Sequence, residues 1–469
     1  MSESHTNPAW DLLVDLDAVA PGPLHERLKR ALRAAIVSGR IPVGATLPPS
    51  RVLAGELGCS RWAVTEAYAQ LIAEGYLDAR TGSGTRVRWA GPASDADPPR
   101  SRAHPDRPRM DLAPGLPDLR TFPRAAWGNA LRTAAIDAGV ADLGYAEPAG
   151  HHRLRGMLVE YLQRSRAASP AGAQLWVTTS TSSSVRRLCL ALAAQGHRAV
   201  AVENPGWTPL ATAAREAGLE PVLVDVDADG LRVPDLRALR GVRAVLVAPA
   251  HQFPLGVVLS PERRTALLRW ADDVDGLVLE DDYDAEFRYD RSPVATLQGM
   301  APRRVALLGS LSKTLSPAVR LGWMLLPQQW AAALHDSEQG PPLPPTLDQL
   351  AFAALLDSGT YDRHLRRARR TYRARRDLLL EQLARHLPDG TVSGAAAGLH
   401  LLLHLPDGLD ASRVLREAES RELHVANADQ YRHGGVGAPG LVLGYGNIRN
   451  ALIPEAVSVL ADVVARQRG

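Results

Sequence analysis

Lys313 stands in the stretch GSLSKTLSPAVRLGW, Gly309 to Trp323, among small hydroxyl residues and with Arg320 seven positions on. A lysine amine in such company can be held neutral and aimed at an aldehyde, with which it forms an imine. Ser310, Ser312 and Arg320 supply hydroxyl donors and a planar guanidinium fork, the groups that hold a phosphate. Upstream, the apolar run GLVLEDDY carries Asp281 and Tyr283 at its end. A carboxylate at a strand exit can pair with a protonated pyridine nitrogen, and a tyrosine hydroxyl can donate to a phenolate oxygen on the same ring. Taken singly, the first stretch reads as a serine-rich loop with a solvated lysine and the second as an acidic helix cap. Together they ask for one molecule with an aldehyde, a phosphate and a pyridine ring: pyridoxal 5'-phosphate (PLP), bound covalently by Lys313.

The elements that must hold these residues fall in three zones. Residues 10–90 read as a helical unit ending in a hairpin; 91–109, GPASDADPPRSRAHPDRPR, as a Pro-, Asp- and Arg-rich linker; and 110–469 as a large α/β unit. In the third zone AVAVE, PVLVDV, AVLVAPA, GLVLEDD and VALLGS alternate with alanine- and leucine-rich helical stretches, which predicts a mostly parallel sheet flanked by helices. From about Pro327 the chain turns helix-rich with late strands (GLHLLLHL, GLVLGY), the pattern of a smaller α+β lobe. The 469 residues are 45% hydrophobic and 22% charged, ordinary for a globular protein, and a net charge of +3 restricts any nucleic-acid footprint to a local patch. Two distant cysteines, Cys59 and Cys189, offer neither a disulfide framework nor zinc-ligand spacing, so no metal is expected and a cytoplasmic location is. The acidic start MSESHTNPAWDLLVDLD is not a signal peptide, and apolar runs are strand-length, so no membrane partner is expected.

In the first zone Leu24, Leu28, Leu32 and Ile36 share one helical face. Ser50 is placed to cap a short helix, Gly58-Cys59-Ser60 to form a tight turn, and Ser60 to cap a second helix with Val64, Tyr68 and Leu71 inward. That is helix–turn–helix spacing, and it sets Arg61 and Thr65 at the exposed start of the second helix, where side chains meet base edges of double-stranded DNA. Arg51, Ser60 and Tyr68 join the expected DNA-binding set. The stretch ARTGSGTRVRW reads as a hairpin whose Arg80, Ser83, Thr85 and Arg86 flank a glycine turn as phosphate or minor-groove contacts.

The ordered string LPPSR…LAGELG.SR…V..AY..L.AEGYL..R.GSGT resembles the winged-helix domain of the GntR superfamily, with Ala63 and Trp62 departing from its usual residues. The third zone resembles fold-type I PLP enzymes of the aminotransferase kind. In that resemblance Tyr145 of GYAEPAGHHRLRGMLVEYL is the tyrosine lent to the partner subunit's phosphate, which implies a dimer. TTSTSSSVRRL opens a helix whose Thr181 and Ser182 face the phosphate, with Ser180 in place of a glycine. Trp207 of ENPGW stacks on the ring, and in APAHQFPLG Phe253 stands at a usual asparagine, leaving Gln252 to reach the ring oxygen.

Over its length the chain resembles the MocR subfamily of GntR-type regulators, which fuse a winged helix–turn–helix to an α/β fold-type I aminotransferase-like domain with a smaller C-terminal α+β lobe. The resemblance implies a head-to-tail homodimer that binds promoter DNA and answers to PLP or to the aldimine of PLP with a small amine. Val442 and Pro209 occupy positions where amino-acid-sensing relatives have carboxylate-binding arginines, so recognition of GABA or an α-amino acid in that manner is not expected; Arg449 is an alternative carboxylate partner. Two activities fit: a PLP-dependent transcription regulator, connected with PLP synthesis or amine metabolism, and a working aminotransferase with an appended DNA-binding domain. Loss of the arginine clamp favours the regulator, because catalysis needs an oriented substrate.

Overall fold

The computed structural model describes residues 21–80, 84–89, 108–289, 295–335, 343–394, 396–406, 408–434 and 439–468. The chain divides into two units, the first ending at Asp106 and the second starting at Arg107. In the first, α1 (Leu24–Val37) is followed by β1 (Thr46–Leu47), α2 (Ser50–Glu56), α3 (Arg61–Ala73) and the hairpin β2 (Leu77–Arg80)–β3 (Gly84–Val87), with β3 central in a three-stranded sheet. The helical face read from the sequence is the buried one: Leu28, Leu32 and Ile36 pack with Val64, Tyr68 and Leu71 in one core, and Leu24 is half-buried. Ser60 caps α3, its hydroxyl accepting the Ala63 N–H at 3.3 Å. Ser50 does not cap α2; it is the first helical residue, behind Pro49, whose preset φ suits the approach to a helix. The linker over 91–107 lies outside the described residues.

The second unit opens with β4 (Met110–Asp111), α4 (Arg124–Asp137), α5 (His152–Arg166), β5 (Ala173–Thr178), α6 (Thr181–Ala194), β6 (Ala199–Asn204), α7 (Thr208–Glu216), β7 (Glu220–Asp227) and β8 (Gly230–Leu231). It continues through α8 (Val233–Ala238), β9 (Ala244–Val247), α9 (Pro261–Asp273), β10 (Leu277–Asp281), α10 (Leu297–Met300), β11 (Val305–Ser310), β12 (Gly322–Pro327), α11 (Gln328–His335), α12 (Thr346–Asp357) and α13 (Thr360–His386). Eight of its strands form one sheet in the order β5-β12-β11-β10-β9-β6-β7-β8, parallel except β12 and β8. Every residue of β9, β10 and β11 is buried, as in a parallel sheet covered on both faces. The parallel strands therefore deliver their carboxyl ends to one edge, where an open α/β sheet places its ligand. The C-terminal part adds β13 (Thr391–Ser393), β14 (His400–His404), α14 (Ala411–Glu419), β15 (Leu423–His424), β16 (Ala426–Asn427), β17 (Gly440–Gly444) and α15 (Ile453–Arg468), with a four-stranded sheet β13-β14-β17-β16. Among the described residues no helix is long and apolar enough to cross a membrane.

Candidate functional site

At the carboxyl edge of the large sheet lies a cavity of about 260 Å³. Five of the six parallel strands contribute to its wall: Ser180, Thr181 and Ser182 after β5, Glu203 and Trp207 around the end of β6, Ala248 and Phe253 after β9, Asp281, Tyr283 and Asp284 at the end of β10, and Ser310, Ser312 and Lys313 at the end of β11. Lys313 Nζ donates to the Gly115 carbonyl at 2.6 Å and stands 5.8 Å from the centre of the Trp207 ring. Burial lowers its pKa below the usual lysine value, and Asp284 and Asp281 pull it partly back. Such an amine gives up its proton more readily than a solvated one, which is what imine formation requires.

Asp281 is buried, and its Oδ1 has no hydrogen-bond partner among the described residues. Burial, then the neighbouring Asp282 and Asp284, push its carboxyl up to about 7, against the pull of Lys313. Tyr283, held protonated by burial and by the charges of Asp284 and Asp281, keeps its hydroxyl 3.2 Å from His251 Nδ1. The same Nδ1 lies 2.9 Å from Asp284 Oδ2. If the Nδ1 proton serves Asp284, the Tyr283 hydroxyl proton can turn either to Asp284 or to an acceptor in the cavity. Gly398, at φ +70°, makes room for this pair, since a Cβ there would lie 2.0 Å from the His251 ring. His400 is kept neutral by burial and by His251, so its Nε2, 3.2 Å from the Pro254 carbonyl, donates to that oxygen.

On the same cavity's wall, Ser180 caps α6, its Oγ accepting the Ser183 N–H at 3.1 Å. The N–H groups of Thr181 and Ser182 precede any helical carbonyl partner and face the cavity with the helix dipole behind them, which favours an anion. Ser310 and Ser312 line the same cavity. Arg320 does not join them: it is exposed, at φ +52°, and outside the cavity wall. Tyr145 is fully exposed and equally outside the wall. Gln252 corrects an expectation. Its Nε2 donates to the Pro205 carbonyl at 2.8 Å and reaches Glu203 Oε2 at 3.5 Å, and its Oε1 accepts the Leu255 N–H at 3.2 Å, so the amide fastens neighbouring loops, and Gln252 lies outside the cavity wall.

Sequence reasoning missed Gly115, Glu203, Asp284 and His400. Glu203 stood in view, a carboxyl at the end of an apolar strand; burial pushes it up to about 8. Val442, where the resemblance expects a clamp arginine, is buried in an apolar cluster with Phe253, Leu402, Ala426 and Tyr431. Arg449 is exposed, and among the described residues no arginine lines the cavity.

In the first unit Arg51, Arg61, Thr65 and Arg86 are exposed and Thr85 is half-buried on β3. Ser83 and the side chain of Arg80 lie outside the described residues. Tyr68 is not available to DNA: it is buried, and its hydroxyl donates to the Pro48 carbonyl at 3.0 Å, tying α3 to the turn before α2.

Residues 108–425 match the family "Aminotransferase class I and II", and residues 24–87 match "Bacterial regulatory proteins, gntR family". The chain is 32% identical to the "Probable rhizopine catabolism regulatory protein MocR" of Rhizobium meliloti, covering 95% of this chain and 94% of that one. It is 33% identical to the "HTH-type pyridoxine biosynthesis transcriptional regulator PdxR" of Corynebacterium glutamicum, over 97% and 99%. It belongs to the MocR-type GntR regulators. This MocR-type chain shares its second fold with Pyrococcus horikoshii kynurenine aminotransferase, at a TM-score of 0.70 and 24% identity over 78% of this chain and 92% of that one. It is thus a helix–turn–helix transcription regulator with an aminotransferase-like fold, and its GntR domain implies DNA binding.

Proposed function

We propose that the regulator binds PLP at Lys313 and that PLP, alone or joined to a small amine, changes how a homodimer engages promoter DNA. The observation that carries this reading is the buried, partnerless Oδ1 of Asp281 beside Lys313, a carboxyl that a pyridinium nitrogen would complete. The hydroxyls and free N–H groups at Ser180–Ser182, Ser310 and Ser312 fit the phosphate, and Trp207 the ring face. When bound, PLP supplies an aldehyde that exchanges between the lysine and a free primary amine. Tyr283 donates towards the ring oxygen, and a cation facing Asp281 would stabilise the charged carboxylate that burial disfavours.

The regulatory reading is favoured over catalysis because Val442 and its apolar neighbours fill the place of a substrate clamp. Dimerisation is supported by a run of apolar side chains left in water: Ile136, Val140, Leu143 and Tyr145 are all largely exposed. In the dimer Tyr145 completes the partner's phosphate end. Residues 10–90 form the DNA-binding part, 91–109 the tether and 110–469 the sensor. PLP must bind the DNA-competent and incompetent states with different affinities to act as a signal. The test is fluorescence anisotropy of the protein against its upstream intergenic DNA, PLP-free and PLP-loaded. A change in affinity or stoichiometry is expected with PLP or with PLP plus an amine; no change under any amine, with PLP bound, overturns the reading.

A further inference from the structure

A second cavity, of about 450 Å³, opens elsewhere in the aminotransferase-like unit. Three elements build it: the end of α5, the segment after β10, and the first turns of α13. Five arginines converge on it, Arg164, Arg166, Arg288, Arg366 and Arg369, against two lining carboxyls, Glu286 and Asp362. Arg369 is fixed at the wall by two donations to the Glu286 carbonyl, at 2.9 and 2.7 Å. Arg166 is buried and forks onto Asp282 at 2.7 and 2.8 Å. Arg164 reaches Asp362 at 3.1 Å. Arg366 has no hydrogen bond or ion pair among the described residues. Burial and Asp282 push the Glu286 carboxyl up to about 7, so near neutral pH it cancels only part of the arginine charge. Arg288 donates to the Ala250 carbonyl at 3.3 Å, and among the described residues, with Asp282 counted, the lining arginines outnumber these carboxyls five to three. Guanidinium groups gathered in a concavity match phosphate and carboxylate oxygens in pairs, and their mutual repulsion is relieved only by anions.

The two cavities share one piece of chain. Asp281, Tyr283 and Asp284 line the cavity at Lys313, while Ala285, Glu286 and Arg288 line the second. Between them Asp282 holds Arg166, itself part of the second wall. A ligand that draws on Arg166 or Arg369 therefore acts on the segment that carries the ring-facing groups.

We propose that this second cavity binds a small polyanion bearing phosphate or carboxylate groups, and that segment 281–288 couples it to the cavity at Lys313. Binding stands independently of the PLP reading; the coupling rests on it. The test is calorimetric titration of the full chain, PLP-loaded so that the phosphate end of the first cavity is filled, with inorganic pyrophosphate and separately with citrate at constant ionic strength. One saturable site per chain is expected for at least one of them; pyrophosphate alone points to a phosphorylated ligand, citrate alone to a polycarboxylate. Arg366→Glu should weaken that binding at least tenfold. Arg385→Glu, ~28 Å further along the same helix at 1.5 Å per residue, should leave it unchanged. No saturable binding of either anion overturns the proposal. So does equal loss in both variants, or a loss of promoter affinity in Arg366→Glu without any loss of anion binding. For the coupling, PLP affinity should shift at least threefold with saturating pyrophosphate, and pyrophosphate affinity by the same factor with PLP; an unchanged PLP affinity removes the coupling. If PLP does not bind, the PLP reading falls, and the anion site is still judged by Arg366→Glu against Arg385→Glu on the PLP-free chain.

Discussion

Replacing Asp281 with asparagine should stabilise the PLP-free protein and cripple its cofactor binding, two effects of opposite sign from one oxygen. The folded chain holds the Asp281 carboxyl at about 7 against an ordinary value of 3.8, chiefly because burial penalises the ion. Between those values the folded state keeps a proton that the unfolded state has lost, so stability falls as pH rises through that window and the whole cost is present above it. A shift of about three units corresponds to ~4 kcal/mol at ~1.4 kcal/mol per unit. Relaxation around a real ion makes ~2–4 kcal/mol the working expectation at pH 8.5, and ~1–2 kcal/mol at pH 5, where only the stretch of the window between 3.8 and that pH has been crossed. Urea denaturation of PLP-free wild type and Asp281→Asn, followed by tryptophan fluorescence at both pH values, measures the difference directly. Glu203, Glu280 and Glu286 are also pushed up, to about 8, 7 and 7, so both proteins should lose stability with rising pH, and only the difference reports Asp281. With PLP present the order should reverse, because removing one member of a buried charge pair costs ~2–5 kcal/mol of binding, about 30-fold or more in affinity. An asparagine variant no more stable at pH 8.5, or equally more stable at pH 5, refutes the account of Asp281 as an unpaired buried acid.

Lys313→Ala should abolish the visible absorption band of the PLP-loaded protein while leaving the folded state and bare DNA affinity largely intact; loss of all three would make the lysine structural. Arg61→Ala should weaken binding to specific promoter DNA more than to random DNA, because base contacts specify and phosphate contacts position, whereas Tyr68→Phe should cost about 1 kcal/mol of stability and leave specificity unchanged; band-shift titrations on both DNAs separate the two. Gly398→Ala should destabilise by ~1–3 kcal/mol or more, because its methyl would meet the His251 ring and Asp284 Oδ2 at 2.0 and 2.5 Å; an unchanged melting temperature would show that the segment moves freely. GABA at millimolar concentration should not alter the absorption of the PLP-loaded protein, and a saturable change would place a carboxylate partner where the structure has Val442 and its apolar neighbours.

What could be read from the chain was whatever chemistry sits at the end of a recognisable strand. Asp281, Ser310 and Lys313 follow apolar runs whose full burial makes them parallel strands, so the residues after them had to meet at one edge. Thr181 and Ser182 were legible through the resemblance, which puts a helix start there, and a helix start leaves N–H groups with no helical partner. The misreadings share a different cause. Gln252 and Tyr68 were judged by the polar group they carry, but a polar group is spent on whatever the fold brings to it. For Gln252 that is the Pro205 carbonyl, 47 positions away, and for Tyr68 the Pro48 carbonyl, 20 away. The arginine-lined cavity is the extreme case. In a chain with 54 lysines and arginines, no single stretch marks Arg166, Arg288 and Arg369 as neighbours. Their convergence depends on α13 packing back over the exit of β10, where Arg369 finds a carbonyl 83 positions upstream. Local chemistry is written locally; a binding site assembled by long-range packing becomes visible only once the packing is known.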